Sequence, residues 1–156
     1  MGKRPVQGRG PEYELIRQFS TWDRALYGQR GTCSDGVDVL LFKQDDAGRL
    51  LAWRFEVKSS KSDCQSLKDT ERMYGQYLAY LAVLRNYRVM TFYAFRCKST
   101  KQRGKDEADK WRLFRVDRLP KSRNGTPKLT LKCRAGWSVK EFYEKVIRGE
   151  MRMQGR

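Results

Sequence analysis

The stretch RLLAWRFEVK, residues 49 to 58, predicts both a central strand and the place where charged side chains meet. Alternate residues of a β-strand share a face. One alternate set is apolar and consists of Leu51, Trp53, Phe55 and Val57. The other set is charged and consists of Arg54, Glu56 and Lys58. We therefore expect a buried strand that ends by presenting Glu56 and Lys58 side by side, where ions without a chemical role would be poorly placed.

A second strand is predicted at VDVLLF, residues 37 to 42, because this run is short, apolar and β-branched at its start. The turn residues DDAG, 45 to 48, separate it from the stretch above and indicate a hairpin. Antiparallel pairing brings the start of one strand to the end of the next, so Asp38 should approach Glu56 and Lys58. Two carboxylates beside a lysine can hold a divalent cation and leave the lysine to position or polarise a water molecule.

The first helix is predicted from Pro11, which suits a first helical turn, and from apolar residues at helical spacing. Those residues are Leu15, Ile16, Phe19, Trp22 and Leu26. Glu12 lies on the same stripe, whereas Glu14 lies on the outer side. An unpaired buried carboxylate is costly, so we expect Glu12 to join the cluster at Asp38 and Glu56.

The remainder of the chain predicts two more helices and three more strands. Residues 67 to 86 carry a helical stripe that we interpret as core and not as base-stacking surface; it consists of Tyr74, Tyr77, Leu78, Leu81 and Leu84. Residues 88 to 95 are apolar on both parities, as in a strand covered on both faces. The charged residues 98 to 110 predict a surface loop.

Residues 111 to 119 and 127 to 133 flank Asn124-Gly125, a turn signal that predicts a hairpin or a loose pair. Ser138 and Glu141 form a capping box for a helix that ends near Gly149. The order predicts an α/β fold, a central mixed β-sheet flanked by helices. It forms one domain over residues 11 to 150, between a basic flexible arm (1 to 10) and a flexible C-terminal tail (151 to 156).

The composition favours a polyanionic partner. The 156 residues contain 34 Lys and Arg against 18 Asp and Glu, which gives a formal charge of +16. Nucleic acid is favoured over a membrane surface, because the sequence has no apolar run of membrane-spanning length and no basic helix with a clean apolar face. The absence of histidine excludes imidazole bases and histidine-metal nuclease motifs. Phosphodiester cleavage would then need carboxylates, a lysine and an oxygen-liganded ion such as Mg²⁺.

The four cysteines are Cys33, Cys64, Cys97 and Cys133. They lie far apart in the sequence and form no C-x-x-C pair, so the sequence does not resemble a zinc ribbon. We expect reduced, mostly buried thiols in a cytoplasmic protein.

The motifs GVDVLLF and WRFEVKSSK resemble the PD-(D/E)xK nuclease superfamily, with Asp38, Glu56 and Lys58 at its signature positions. Together with GRGPEYELI, residues 8 to 16, they look like the archaeal-type Holliday junction resolvases. Gly8 and Glu12 match that family's first helix. Ser34 matches its active-site serine, with Thr32 as the rival. The resemblance covers residues 8 to 61 and, more loosely, the next helix and strand.

The resemblance implies a restriction-endonuclease-like fold and a homodimer that resolves four-way (Holliday) DNA junctions by paired symmetric nicks. It implies Mg²⁺, with Mn²⁺ as a substitute, bound by Asp38, Glu56 and the Val57 carbonyl. Glu12 would contact the metal or the attacking water, and Lys58 would orient that water. The basic residues expected to hold DNA are Lys3, Arg4, Arg9, Arg30 and Lys61. A small, basic, single-domain member would suit a phage-encoded enzyme in the host cytoplasm.

Two alternatives stay open from the residues alone. The chain could be a PD-(D/E)xK nuclease for another substrate, such as a flap, a nick or a duplex. It could also be a non-catalytic basic nucleic-acid-binding domain, because an Asp followed by Glu-x-Lys occurs by chance and FEVK could be a strand end with an ordinary ion pair.

Overall fold

The computed structural model describes residues 10–31, 38–60, 64–66, 75, 77–82, 90–97, 110–125, 128 and 130–149. The predicted arm before residue 10, the loop at 98–109 and the tail at 151–156 lie outside these residues. The helices described are α1 (Pro11–Trp22), α2 (77–82) and α3 (Val139–Phe142). The strands described are β1 (Tyr27–Arg30), β2 (Val39–Gln44), β3 (Leu50–Ser60), β4 (Cys64–Ser66), β5 (Thr91–Cys97), β6 (Trp111–Arg115) and β7 (Thr130–Lys132).

Five of these strands form a mixed sheet in the order β1-β2-β3-β5-β6. Strands β3 and β5 are parallel, and the other neighbours are antiparallel. The predicted β2–β3 hairpin is confirmed: its register pairs Val39 with Phe55, and the N–H of Asp38 donates to the Phe55 carbonyl at 3.0 Å. Gly48 closes the turn with φ 81°, a value that favours glycine. Asp38, the residue before β2, therefore lies opposite Glu56 of β3.

The two faces of the sheet carry separate hydrophobic clusters. The apolar set of β3 packs against α1 and α3, with the Phe55 ring 5.5 Å from the rings of both Phe19 and Phe142. The opposite face is covered by α2, which buries Tyr77 and Tyr80. Strand β5 is buried on both faces, as predicted from its sequence. Glu56 and Lys58 alternate with the apolar set, so they belong to the face that α2 covers.

Strand β1 was not among the strands predicted from the sequence. The strand is a largely exposed edge, so its sequence YGQR has no apolar alternation to indicate it. Its place depends on Gly28, where a Cβ atom would lie 2.7 Å from Cγ2 of Ile16 in α1. The missing side chain allows α1 to pack closely on the strand.

The predicted pairing of residues 111 to 119 with 127 to 133 is wrong. The turn is present, with Gly125 at φ 82°, but β6 pairs with β5, and β7 pairs with β4 in a second sheet of two strands. Strand β5 is buried on both faces, and β6 supplies its neighbour on the edge away from β3. The outer edge of β6 is then occupied at Leu113, whose backbone exchanges two hydrogen bonds with Trp137 at 2.8 and 2.9 Å.

The later helices follow their predictions in part. Residues 77–82 are helical, but Leu78 is 47% exposed, so the expected stripe is wrong at that position and Tyr80 faces inward in its place. The capping box of α3 is confirmed: the Glu141 N–H donates to Ser138 Oγ at 3.1 Å. The helix continues through a π-helical turn, Tyr143–Ile147. Of the helices described, none is both long and apolar enough to cross a membrane.

Cys97 and Cys133 form a disulfide, so the expectation of reduced thiols is wrong for this pair. Their Cα atoms are 6.6 Å apart, and both residues are buried in the cluster beneath α2. Cys64 lies on β4 and takes no part in this disulfide, and Cys33 lies outside the described residues. The spacing in sequence gave no sign of the bond because the two cysteines meet only through the packing of β5 beside the segment after β7.

We expect reduction of this disulfide to lower the free energy of unfolding by about 3 to 4 kcal/mol, because the bond closes a loop across a sequence separation of 36. Urea unfolding with and without a reductant measures the effect. Cys64→Ser, which leaves the Cys97–Cys133 disulfide in place, should respond to reductant as the wild type does. An unchanged free energy of unfolding in reductant would contradict the cross-link.

Candidate active site

The carboxyl groups of Asp38 and Glu56 meet at the end of β3, where the hairpin register places them. Asp38 Oδ2 accepts a hydrogen bond from the Val57 N–H at 2.8 Å. This bond fixes the Asp38 side chain against the backbone of the neighbouring strand, and the Glu56 carboxyl group lies beside it. Lys58 Nζ lies 2.9 Å from Glu56 Oε1. The structure thus brings together the three residues that the hairpin geometry predicted would meet.

Glu56 is 5% exposed and has a separate partner on each oxygen. Oε1 pairs with the Lys58 ammonium, and Oε2 accepts a hydrogen bond from the Tyr80 hydroxyl at 2.7 Å. A buried carboxylate needs such partners, because burial of an unpaired charge is costly. The Tyr80 contact comes from α2, so the helix that covers this face of the sheet also contributes to the site.

Tyr93 is the second tyrosine at this site and the cross-strand neighbour of Glu56 on β5. Its hydroxyl is buried and has no hydrogen-bond partner among the described residues. Its ring lies edge-to-face with that of Tyr80, at 6.1 Å between centroids. Burial, and then the negative charge of Glu56, raise the pKa of both phenols, so both remain protonated donors at neutral pH.

Neither tyrosine was predicted as a site residue. Tyr80 lay off the apolar stripe assigned to its helix, and Tyr93 is one of several aromatic residues in a strand buried on both faces. The parallel register that sets Tyr93 beside Glu56 joins strands about 35 residues apart in the chain, a separation typical of a crossover connection. Only that register, which no local pattern predicts, would have identified it.

The pKa of Asp38 is raised, first by burial and then by the charge of Glu56, and the Val57 hydrogen bond and Lys58 counteract this only in part. Two carboxylates beside one ammonium leave a net negative charge among these three side chains. Carboxylate oxygens are hard ligands, and Mg²⁺ in proteins is commonly held by one or two carboxylates, with water and substrate phosphate completing its shell. Asp38 and Glu56 fit that donor set.

Glu12 lies half-buried in the first turn of α1. Within the described residues, no group of three or more His, Cys, Asp or Glu side chains is placed to hold a metal, so Glu12 does not complete a three-carboxylate cluster there. Glu14 was expected on the outer side, which is wrong: it forms an ion pair with Arg96 of β5 at 3.0 Å, with both side chains mostly buried. This pair attaches the start of α1 to the end of β5 that lies beside Lys58 and Ser59.

Of the basic residues predicted to hold DNA, Arg30 is described. It is exposed at the end of β1 and pairs in register with Val39, the residue after Asp38. The Gly31 N–H donates to the Asp38 carbonyl at 2.8 Å, so this end of β1 adjoins the carboxylates. The other predicted DNA contacts and the two candidate hydroxyl residues lie outside the described residues; they are Lys3, Arg4, Arg9, Thr32, Ser34 and Lys61.

The comparisons with known proteins bear on the fold. No protein-family model matches the chain, and no curated protein sequence matches it. Among solved structures, the chain is similar to Hjc of Archaeoglobus fulgidus, a Holliday junction resolvase from an archaeal hyperthermophile, with a TM-score of 0.53 and 16% sequence identity. The match covers 86% of this chain and 97% of that one. The predicted α/β fold, a mixed sheet flanked by helices and similar to this resolvase, is confirmed.

Asp38→Asn is expected to leave the protein as stable as the wild type, or more stable, at neutral pH. Because the folded state raises the pKa of Asp38, it binds the proton more tightly than the unfolded chain does, and the contribution of Asp38 to stability falls as pH rises through this range. The advantage of the variant should therefore grow as pH rises from the ordinary carboxyl range, about pH 4, through the raised pKa of Asp38, and should stay constant above that pKa. Urea unfolding across this range measures it.

Asp23→Asn is the matched control. Burial alone would raise the pKa of Asp23, but hydrogen bonds from Lys43, the Ala25 N–H and the Tyr143 hydroxyl outweigh it and lower the pKa. Asp23 therefore stabilises the folded state above the pKa of its unfolded form, and this contribution is lost as pH falls. Asp23→Asn should destabilise at neutral pH, where Asp38→Asn does not. Equal destabilisation by both would show that Asp38 is an ordinary structural carboxylate.

Proposed function

We propose that the protein is a divalent-metal-dependent endodeoxyribonuclease that resolves four-way DNA junctions. The observation that carries the proposal is the pair of adjacent carboxylates, Asp38 just before β2 and Glu56 on β3, with the single ammonium of Lys58 beside them. Perturbed carboxyl groups placed together are typical of functional sites. The similarity of the fold to that of an archaeal Holliday junction resolvase supports the choice of substrate.

In this proposal, Asp38, Glu56 and the Val57 carbonyl hold Mg²⁺, and Mn²⁺ can replace it. The bound ion would stabilise the charge that develops on the phosphate during in-line attack by water. Asp38 is oriented for binding by its Val57 hydrogen bond. Lys58, whose ammonium lies against Glu56 Oε1, orients the attacking water or stabilises charge on the phosphate. Glu12, which forms no three-carboxylate cluster with this pair among the described residues, is proposed to contact only the attacking water, and Ser34, or its rival Thr32, to supply the active-site hydroxyl.

The surrounding charge gives the protein its affinity for DNA. The net charge of +16 favours release of condensed counterions from the phosphates. Arg30 is exposed at the end of β1, next to Gly31, whose N–H bonds the Asp38 backbone, and it is proposed to contact a phosphate of the DNA. Lys3, Arg4, Arg9 and Lys61 are proposed to hold the junction arms. Phosphate contacts give selectivity for the shape of the DNA more than for its sequence. A homodimer would supply two active sites, one for each of two opposed DNA strands. We propose that the enzyme acts in the cytoplasm.

A second candidate, a non-catalytic DNA-binding domain, is favoured by one specific observation. Each oxygen of Glu56 has a partner within the protein, Lys58 for one and Tyr80 for the other. A purely structural ion pair would have the same two contacts. Asp38 separates the two candidates, because a structural cluster has no reason to keep a second carboxylate beside Glu56 at a raised pKa.

The proposal predicts cleavage of a synthetic four-way junction in Mg²⁺ by symmetric paired nicks, with linear duplex and a flap of the same arms left uncut. Asp38→Asn is expected to abolish cleavage while junction binding persists or tightens, because the change removes a negative charge near the phosphate. Asp46→Asn, at an exposed aspartate in the β2–β3 turn, is the matched control and should cleave as the wild type does.

Each other outcome of this experiment has a defined meaning. Cleavage of flap or duplex, still lost in Asp38→Asn, would keep the metal site and replace the substrate. Tight binding without cleavage by the wild type would favour the non-catalytic domain. Loss of binding together with loss of cleavage in Asp38→Asn would indicate a structural role for the carboxylates.

Binding should also weaken steeply with salt, with a slope of log affinity against log salt of about −0.9 per phosphate contact on duplex arms. Arg30→Gln is expected to make this slope shallower by about one contact. Arg123→Gln, at an exposed arginine after β6 on the opposite edge of the sheet, is the control and should leave the slope unchanged. Fluorescence anisotropy over a series of salt concentrations measures both. An affinity that is flat with salt would exclude phosphate-dominated binding.

A further inference from the structure

The two oxygens of Glu56 meet donors of opposite character. Oε1 pairs with Lys58, whose side chain is 26% exposed, and Oε2 accepts from the hydroxyl of Tyr80, which is 3% exposed. The ammonium therefore lies on the accessible side of the carboxylate, and the phenol lies on the enclosed side. Oε1 is therefore paired with the more exposed of the two partners of Glu56.

Tyr80 is fixed by a run of aromatic contacts on the face of the sheet that α2 covers. Its ring packs edge-to-face on Tyr93, which stacks on Phe95 at 5.7 Å, and Phe95 lies 5.3 Å from Phe114. These rings belong to the same buried cluster as the disulfide. The phenol oxygen of Tyr80 is thus set by packing and not by its bond to Glu56 alone.

A neutral donor and a charged donor have different consequences for a ligand carboxylate. An ammonium neutralises the carboxylate and competes directly with a metal cation for the same oxygen. A phenol holds the carboxylate in one orientation and leaves its negative charge in place. Hydrogen bonds of this second kind are what orient metal ligands in proteins.

We propose that Tyr80 is a positioning residue for Glu56. Its hydroxyl holds Oε2 in place, so that Oε1 is the oxygen that would bind a divalent cation in place of Lys58. This inference rests on the metal site of the proposed function. Lys58, released from Oε1, is then left beside the bound ion, where the proposed function needs it. The roles of Tyr80 and Lys58 are complementary, because one partner of Glu56 stays and the other leaves.

Tyr93 provides an internal comparison at the same site. It neighbours Glu56 on the adjacent strand and is as deeply buried as Tyr80, yet its hydroxyl has no hydrogen-bond partner in the part of the chain that the structure describes. Tyr80→Phe and Tyr93→Phe remove the same atom from neighbouring rings. Only the first removes a bond to Glu56.

The test is Mn²⁺ binding to the full chain, measured by isothermal titration calorimetry without DNA. Tyr80→Phe is expected to weaken Mn²⁺ binding about 10- to 100-fold. Tyr93→Phe and the surface control Tyr27→Phe, at an exposed tyrosine of β1, should bind Mn²⁺ as the wild type does. In junction cleavage, Tyr80→Phe should raise the half-saturating Mg²⁺ concentration, with the rate recovering at high Mg²⁺.

Wild-type affinity in folded Tyr80→Phe, or an equal loss in Tyr93→Phe, would overturn the proposal. If Tyr80→Phe does not fold, Lys58→Met tests the proposed exchange of Lys58 for the cation at Oε1. Removal of the competing ammonium should strengthen Mn²⁺ binding. Weaker binding would overturn that exchange. A wild type that binds Mn²⁺ in this Tyr80-dependent way but cuts no DNA would support the positioning role and refute the nuclease. A wild type that binds no Mn²⁺ would overturn both.

Discussion

The pairing register of β2 and β3 is the constraint on which the site depends. A slip of one residue would turn every side chain of β3 to the opposite face, placing Glu56 and Lys58 in the core against α1 and α3. Two hydrogen bonds of Asp38 oppose such a slip: its N–H donates to the Phe55 carbonyl, and its side chain accepts from the Val57 N–H. The same aspartate therefore closes the hairpin register and supplies one of the two carboxylates of the site.

The features that the sequence predicted well are those that local patterns determine. The parity of β3, the turn at Gly48 and the capping box at Ser138 each depend on residues near one another in the chain, and each is observed. The meeting of Asp38 with Glu56 follows from one hairpin, so it too was predictable. The α/β class follows from the alternation of helical and strand patterns and is confirmed by the resolvase fold.

The features that the sequence did not predict depend on residues distant from one another in the chain. Strand β1 has no apolar alternation, and its pairing depends on the space that Gly28 leaves for Ile16. Strand β7 pairs with β4, the outer edge of β6 bonds Trp137, and the Cys97–Cys133 disulfide joins β5 to the segment after β7. Tyr80 was not predicted for a related reason. It contacts Glu56 on the strand that α2 covers, and the apolar stripe of α2 does not indicate that contact.

The two carboxylates of the proposed site differ in the partners that the protein gives them. Both oxygens of Glu56 have a partner within the protein, so removal of its charge would add little to the free energy of unfolding. Asp38 is held beside it with one backbone donor and a raised pKa, an arrangement that costs stability without packing to offset it. Proteins keep such costs where function requires them. In the proposed function, a cation held between the two groups would offset the negative charge of both carboxylates, which the burial of Asp38 makes costly.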